Sequence, residues 1–243
     1  MSEANLKKLL NSTPQLWKGH RPNHSQRCLP TGHARLDARL PGNGWPLGAA
    51  TELICTKPGL GEFSLLFPSL ASMGEQGLWQ ILVDPPWIPY PASLNGHGLR
   101  LERLLLVRTH SEKESLWACE QALRGNRGGA VLAWPEHISF PRLRRLQLAA
   151  QEYGKLLFLF RPQQALQASS PAALRLRLDA DKQRGTRISV LKCRGNRPLE
   201  PVWIPPLYPA SRNDPAPATR VPDVVPLAAS EEIRLPAAST TLN

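Results

Sequence analysis

The stretch of the chain whose residue types and spacing come nearest to handling a phosphate is TELICTKPGLGEF, residues 51 to 63. A phosphate-cradling loop joins a strand to a helix through G-x-x-x-x-G-K-[ST]. Its backbone N–H groups surround the phosphates, its Lys neutralises them and its hydroxyl holds magnesium. Here Thr56 stands where the first Gly belongs, Gly59 lies within the loop, Gly61 keeps the second Gly, Glu62 replaces the Lys and Phe63 replaces the Ser or Thr. A carboxylate beside a triphosphate repels it, and a phenyl ring offers magnesium no ligand. The segment reads as a degenerate nucleotide site, so neither ATP hydrolysis nor a bound cofactor is expected.

Metal and disulfide chemistry find little footing. Cys28, Cys55, Cys119 and Cys193 are scattered, with no C-x-x-C pair, so a zinc ribbon and a disulfide framework are both disfavoured and a reducing cytoplasm fits. His20, His24 and Cys28 fall four apart, but Pro22 breaks any helix that would align them. The net charge of +11 favours anionic partners such as nucleic acid. A candidate contact is Arg142, Arg144 and Arg145, which open FPRLRRLQLAAQEYGK, with Leu143, Leu146 and Ala150 forming the apolar stripe. The alternative, favoured reading of the same arginines is a solvated helix face.

The elements that must position these groups alternate along the chain. Short apolar runs at Thr51 to Cys55, Leu78 to Val83, Leu104 to Val107, Gly129 to Ala133 and Leu156 to Phe160 predict strands buried on both faces of a mainly parallel sheet. Phe63 to Met73, Ser115 to Arg124 and Phe140 to Gly154 predict the crossover helices. Ala173 to Leu178 and Thr186 to Lys192 alternate apolar with polar, which predicts an antiparallel edge. Val202 to Ile204 closes the core before Pro205 and Pro206. The expected organisation is an arm over 1–27 with a short helix from Glu3 to Asn11, a core over 28–206, and a Pro/Ala-rich tail over 207–243 expected to be disordered. No apolar stretch has the length of a membrane span.

Longer segments extend the reading. LPTGHARLDARLPGNGWPLGAATELICTKPGLGE, from Leu29 to Glu62, resembles the RecA segment that leads into its phosphate loop, and the order of elements follows RecA from Leu29 to Pro205. WPLGAATEL, GLGE, DPPWIPYPASL, GAVLAWPE and LRRLQLAAQEYGKLLFLFRP are similar to the ImuA family of RecA-like, translesion-synthesis-associated proteins, a group some of whose members are labelled SulA-like cell division inhibitors.

The resemblance implies an α/β RecA-like core whose catalytic positions are lost. Counting from Asp84, Pro86 replaces the water-activating Glu, Trp134 replaces the magnesium-associated Asp, and Phe160 and Arg161 replace the pair that senses the γ-phosphate. Lys192 and Arg194 match basic residues that reach across the RecA protomer interface, which makes them a candidate protein interface; a charged edge strand is the alternative. PQQALQASSP is shorter than the DNA-binding loop of RecA. The expected function is a noncatalytic accessory factor of damage-induced translesion synthesis, partnered by ImuB, an error-prone C-family polymerase and RecA, with DNA contact left open. The competing expectation is an inhibitor that binds the tubulin-like division protein. A third is an ATPase with unorthodox ligands.

Overall fold

A computed structural model describes residues 27–56, 62–181, 184–193 and 200–206. The arm to residue 26, the tail from 207 on, His20, His24, Gly59, Gly61 and Arg194 lie outside the described residues, and so does the expected Glu3 to Asn11 helix.

The chain enters through a two-stranded antiparallel ribbon, β1 (Cys28–Leu29) and β2 (Trp45–Pro46), with the short helix α1 (Ala34–Asp37) between them. The ribbon closes because Gly44 has no side chain: a Cβ there would lie 2.2 Å from the Leu29 carbonyl oxygen. It delivers Trp45 into the core, where the indole N–H donates to Ser69 Oγ at 2.9 Å and the ring meets Phe158 edge-on. A buried Trp needs such a partner for its one polar atom.

The main sheet is built from β3 (Ala49–Cys55), β4 (Trp79–Val83), β5 (Leu104–Val107), β6 (Gly128–Ala133), β7 (Leu156–Pro162), β8 (Leu174–Asp181), β9 (Gly185–Lys192) and β10 (Val202–Ile204). Their spatial order is β5-β4-β6-β7-β3-β8-β9-β10. The strands from β5 to β8 pair in parallel, and β9 and β10 add on antiparallel. The crossovers carry α2 (Phe67–Glu75), α3 (Pro91–Gly96), α4 (Glu112–Arg124) and α5 (Phe140–Tyr153). The architecture is α/β, a mostly parallel mixed sheet flanked by helices.

Every residue of β3 is buried, as a strand covered on both faces requires. Alternation sorts its side chains into two cores. Leu53 and Cys55 join Leu66, Leu70, Met73, Phe158 and Phe160 on one face. Ala50 lies on the other with Val131, Leu143, Leu146 and Leu157 beneath α4 and α5. Truncating a residue such as Leu53 to Ala costs about 2–5 kcal/mol.

Four expectations need correction. Leu104–Val107 is not buried on both faces: β5 is the last strand of the sheet, with only β4 beside it, and Leu105 and Leu106 are exposed. The strand expected from Ala173 joins β3 in parallel and is largely buried, so the antiparallel edge begins one strand later, at β9. The first crossover opens as a 3₁₀ turn over Phe63–Leu66 and becomes α-helical only at Phe67, next to Pro68, whose missing N–H is harmless in a first turn. The helix expected from Ser115 starts earlier, at Glu112, because the Ser111 hydroxyl caps it by accepting from the Glu114 N–H. Among the described residues no helix is long and apolar enough to cross a membrane.

Candidate protein-interaction surfaces

The carboxyl ends of β3, β7 and β6 lie side by side in the middle of the sheet. There the chain switches direction: after β3 it runs toward β4, after β7 toward β8. Such a switch point is where open α/β sheets form their crevice. Here the crevice holds aromatic rings. Trp134, just beyond β6, stacks on Phe160 of β7 with centroids 4.6 Å apart and planes 5° from parallel. Phe63 meets Trp134 edge-on at 6.1 Å, Phe160 at 6.4 Å and Phe67 at 5.0 Å. None of these rings can ligate magnesium or take a proton from water. Thr56 follows β3 and is occupied: its N–H and its hydroxyl both donate to the Leu178 carbonyl at 3.3 Å. Glu62 opens the 3₁₀ turn. Burial, with the Glu62 carboxylate adding to it, pushes the Cys55 thiol up to about 12, so it stays protonated.

A second surface follows β4. Asp84 turns the chain in a left-handed conformation, φ 49°, and its carboxylate accepts from the Thr109 N–H at 2.8 Å and the Thr109 hydroxyl at 2.6 Å. Arg108 donates to the Pro85 carbonyl. Pro85, Pro86, Pro89 and Pro91 stiffen the stretch further by fixing φ. This braced loop holds three large apolar side chains in solvent: Trp87 is 71% exposed, Ile88 75% and Tyr90 56%. The chain then returns through Leu101 to β5, whose Leu105 and Leu106 are also exposed. Six of the eleven large hydrophobics exposed among the described residues fall between Trp87 and Leu106, at one margin of the sheet. The three on the braced loop, Trp87, Ile88 and Tyr90, are the candidates for contact with a partner.

The charged candidates separate. Arg142 pairs with Glu112 at 2.8 Å, and Arg145 pairs with Glu120 at 2.7 Å, a carboxylate that Arg124 also contacts at 2.7 Å. Arg144 instead lines a cavity of about 310 Å³ together with Lys192, so the structure joins members of two sets that the sequence kept apart. Behind Lys192 lies a buried ion cluster. Glu52 meets Arg175 at 2.8 Å and Arg161 at 3.8 Å, and burial presses the Arg161 guanidinium below its usual range. Sequence reasoning named neither Glu52 nor the Trp87 to Leu106 surface. A Glu inside the apolar run TELIC was a readable signal for the first, and three large apolar residues among prolines in PPWIPYP for the second.

No protein-family model matches the chain. Among curated proteins it is similar to the cell division inhibitor SulA of Edwardsiella piscicida, 32% identical over 108 residues, which are 44% of this chain and 64% of that protein. SulA of Photorhabdus laumondii is 31% identical over 111 residues, 46% of the chain and 63% of the relative. SulA of Klebsiella aerogenes is 28% identical over 99 residues, 40% and 59%. The chain thus spans less than two thirds of the length of the relatives it matches. These relatives overturn the expectation of a translesion accessory factor working with ImuB and an error-prone polymerase: all three are named for inhibiting cell division.

Proposed function

We propose that this chain is a noncatalytic inhibitor of cell division that binds the tubulin-like division protein and blocks its polymerisation. The observation that carries the reading is the braced Trp87–Tyr90 loop beside the exposed β5 edge. A partner could cover the anchors Trp87 and Tyr90 and the aliphatic Ile88, Leu105 and Leu106 at small entropic cost, because the loop is already held in place. Similarity to proteins named for cell division inhibition supports a target in the division machinery.

The scaffold of this reading is a RecA-type core without nucleotide turnover, working in the cytoplasm by association alone. The parallel sheet with its switch point beside β3, and the order of strands and crossover helices along the chain, support that assignment. The aromatic rings of Phe63, Trp134 and Phe160 at the switch point support the absence of hydrolysis.

The test is overproduction in dividing bacteria, scored by cell length and mutation frequency, together with sedimentation of the purified division protein with GTP. The wild-type chain should give filaments and reduce the pelleted polymer, with mutation frequency unchanged, and Trp87→Ala with Ile88→Asp should do neither. Normal cell length and undiminished polymer with the wild-type chain would sink the reading.

A further inference from the structure

The margin of the sheet opposite β5 carries the other unassigned feature. The cavity there is walled by Arg144, Gln147, Leu148 and Gln151 of α5, by Pro171 in the turn before β8, and by Lys192 at the end of β9. Its cations are short of counter-charge among the described residues. Arg144 and Lys192 are exposed and make no ion pair among the described residues; the Lys192 ammonium donates only to the Ser170 carbonyl, at 2.6 Å. The carboxylate that acts on Lys192, Glu52, is committed. Lys192 lies across the strand pair from Arg175, and Arg175 across from Glu52; Glu52 already serves both Arg175 and Arg161. Three cations thus share one carboxylate in this row. At its far end Arg161, 6% exposed, keeps Nε and Nη1 without a hydrogen-bond partner. Buried or crowded cations without compensation are costly, and an incoming anion relieves them.

We propose that this cavity takes the carboxylate of an acidic peptide, with Arg144 forking onto its two oxygens and Lys192 supplying a second, point-charge contact. The shape of the site selects the peptide over nucleic acid. Arg142 and Arg145 are tied to Glu112 and Glu120, so among the described residues the cations lining the hollow are two, Arg144 and Lys192, whereas a nucleic acid presents a continuous row of phosphates. Leu148 and Pro171 give the same cavity an apolar wall, which suits an aliphatic residue next to the acidic one. A guanidinium prefers a planar carboxylate, which it meets with two parallel hydrogen bonds. This inference stands apart from the division-inhibitor reading: β5 and β9 lie toward opposite margins of the sheet.

The experiment is fluorescence polarisation with a fluorescein-labelled peptide, acetyl-Gly-Leu-Asp-Glu-Leu-Gly-amide, on the full chain. The peptide should bind, its Asn-Gln counterpart should bind at least about tenfold more weakly, and Arg144→Gln or Lys192→Met should each weaken binding of the acidic peptide by about tenfold. Arg142→Gln should leave it unchanged. All three substitutions are at exposed positions, and unaltered melting curves check that the fold is intact. Equal affinity for the amide peptide, indifference to both substitutions, or no binding at millimolar peptide overturns the proposal. So does a duplex oligonucleotide that binds through Arg144 and Lys192 more tightly than the peptide.

Discussion

The two margins of the sheet solve the problem of an open edge in opposite ways. At one, β5 exposes Leu105 and Leu106 next to the Trp87–Tyr90 loop, an apolar border that invites a partner. At the other, β9 and β10 add on antiparallel beyond β8, β8 and β9 carry Arg175, Arg177, Asp179, Arg187 and Lys192, and the last strand stops before Pro205. The apolar margin depends on burying area in a complex. The charged margin depends on compensating charge, and its cost is already borne inside the fold by Glu52. The two therefore differ in what a substitution beneath the surface disturbs: the first margin has no buried charge to strand, whereas at the second the loss of Glu52 disturbs folding.

The largest expected effect tests the charged side. Glu52→Gln leaves two buried guanidinium groups without their carboxylate and should destabilise the protein by about 3–5 kcal/mol, read as a lowered denaturation midpoint. Replacing Glu52, Arg161 and Arg175 together with Leu and Met should be close to neutral, because no charge is then stranded. If the single and triple variants melt alike, the cluster is not electrostatically coupled. On the apolar side Trp87→Ala should cost about 2–4 kcal/mol of binding to the division protein, and less than about 0.5 kcal/mol of stability, since the side chain is 71% exposed. A comparable loss of stability would erase the contrast. The next effect is smaller: raising salt from 50 to 200 mM, about one doubling twice over, should weaken acidic-peptide binding to the Arg144–Lys192 cavity severalfold and barely change binding at the β5 margin. Isothermal titrations at the two salt levels separate them. Smallest is Ser111→Ala, which removes the cap of α4, between the two margins, and should cost about 1 kcal/mol without altering either binding event.

The sheet was legible from sequence because its strands are apolar runs set off by Gly, Pro and charge. TELIC, LWQILV and LLFLF fall within a residue or two of β3, β4 and β7. The position of β5 was not, since LLLV is as apolar as a central strand and sheet order depends on which helix crosses where. Nor was the sharing of one cavity by Arg144 and Lys192, which lie on α5 and β9 and meet only through the fold. The substitutions at Phe63 and Trp134 could be read individually, while their convergence on Phe160 could not. The exposed loop was missed because a stretch of Trp, Ile and Tyr reads as buried by composition; only the prolines and the Asp84 turn hold it out in solvent.

The place of β3 has a consequence in time. This wholly buried strand ends at Cys55, yet its two neighbours are β7, beginning at Leu156, and β8, beginning at Leu174. At a synthesis rate of about 5–20 residues per second, the ribosome makes β3 roughly 6–24 s before β8 emerges to cover its open side. For that interval the middle of the molecule is an unpaired apolar strand on a growing chain, and whatever shields it during translation decides how much finished protein the cell obtains.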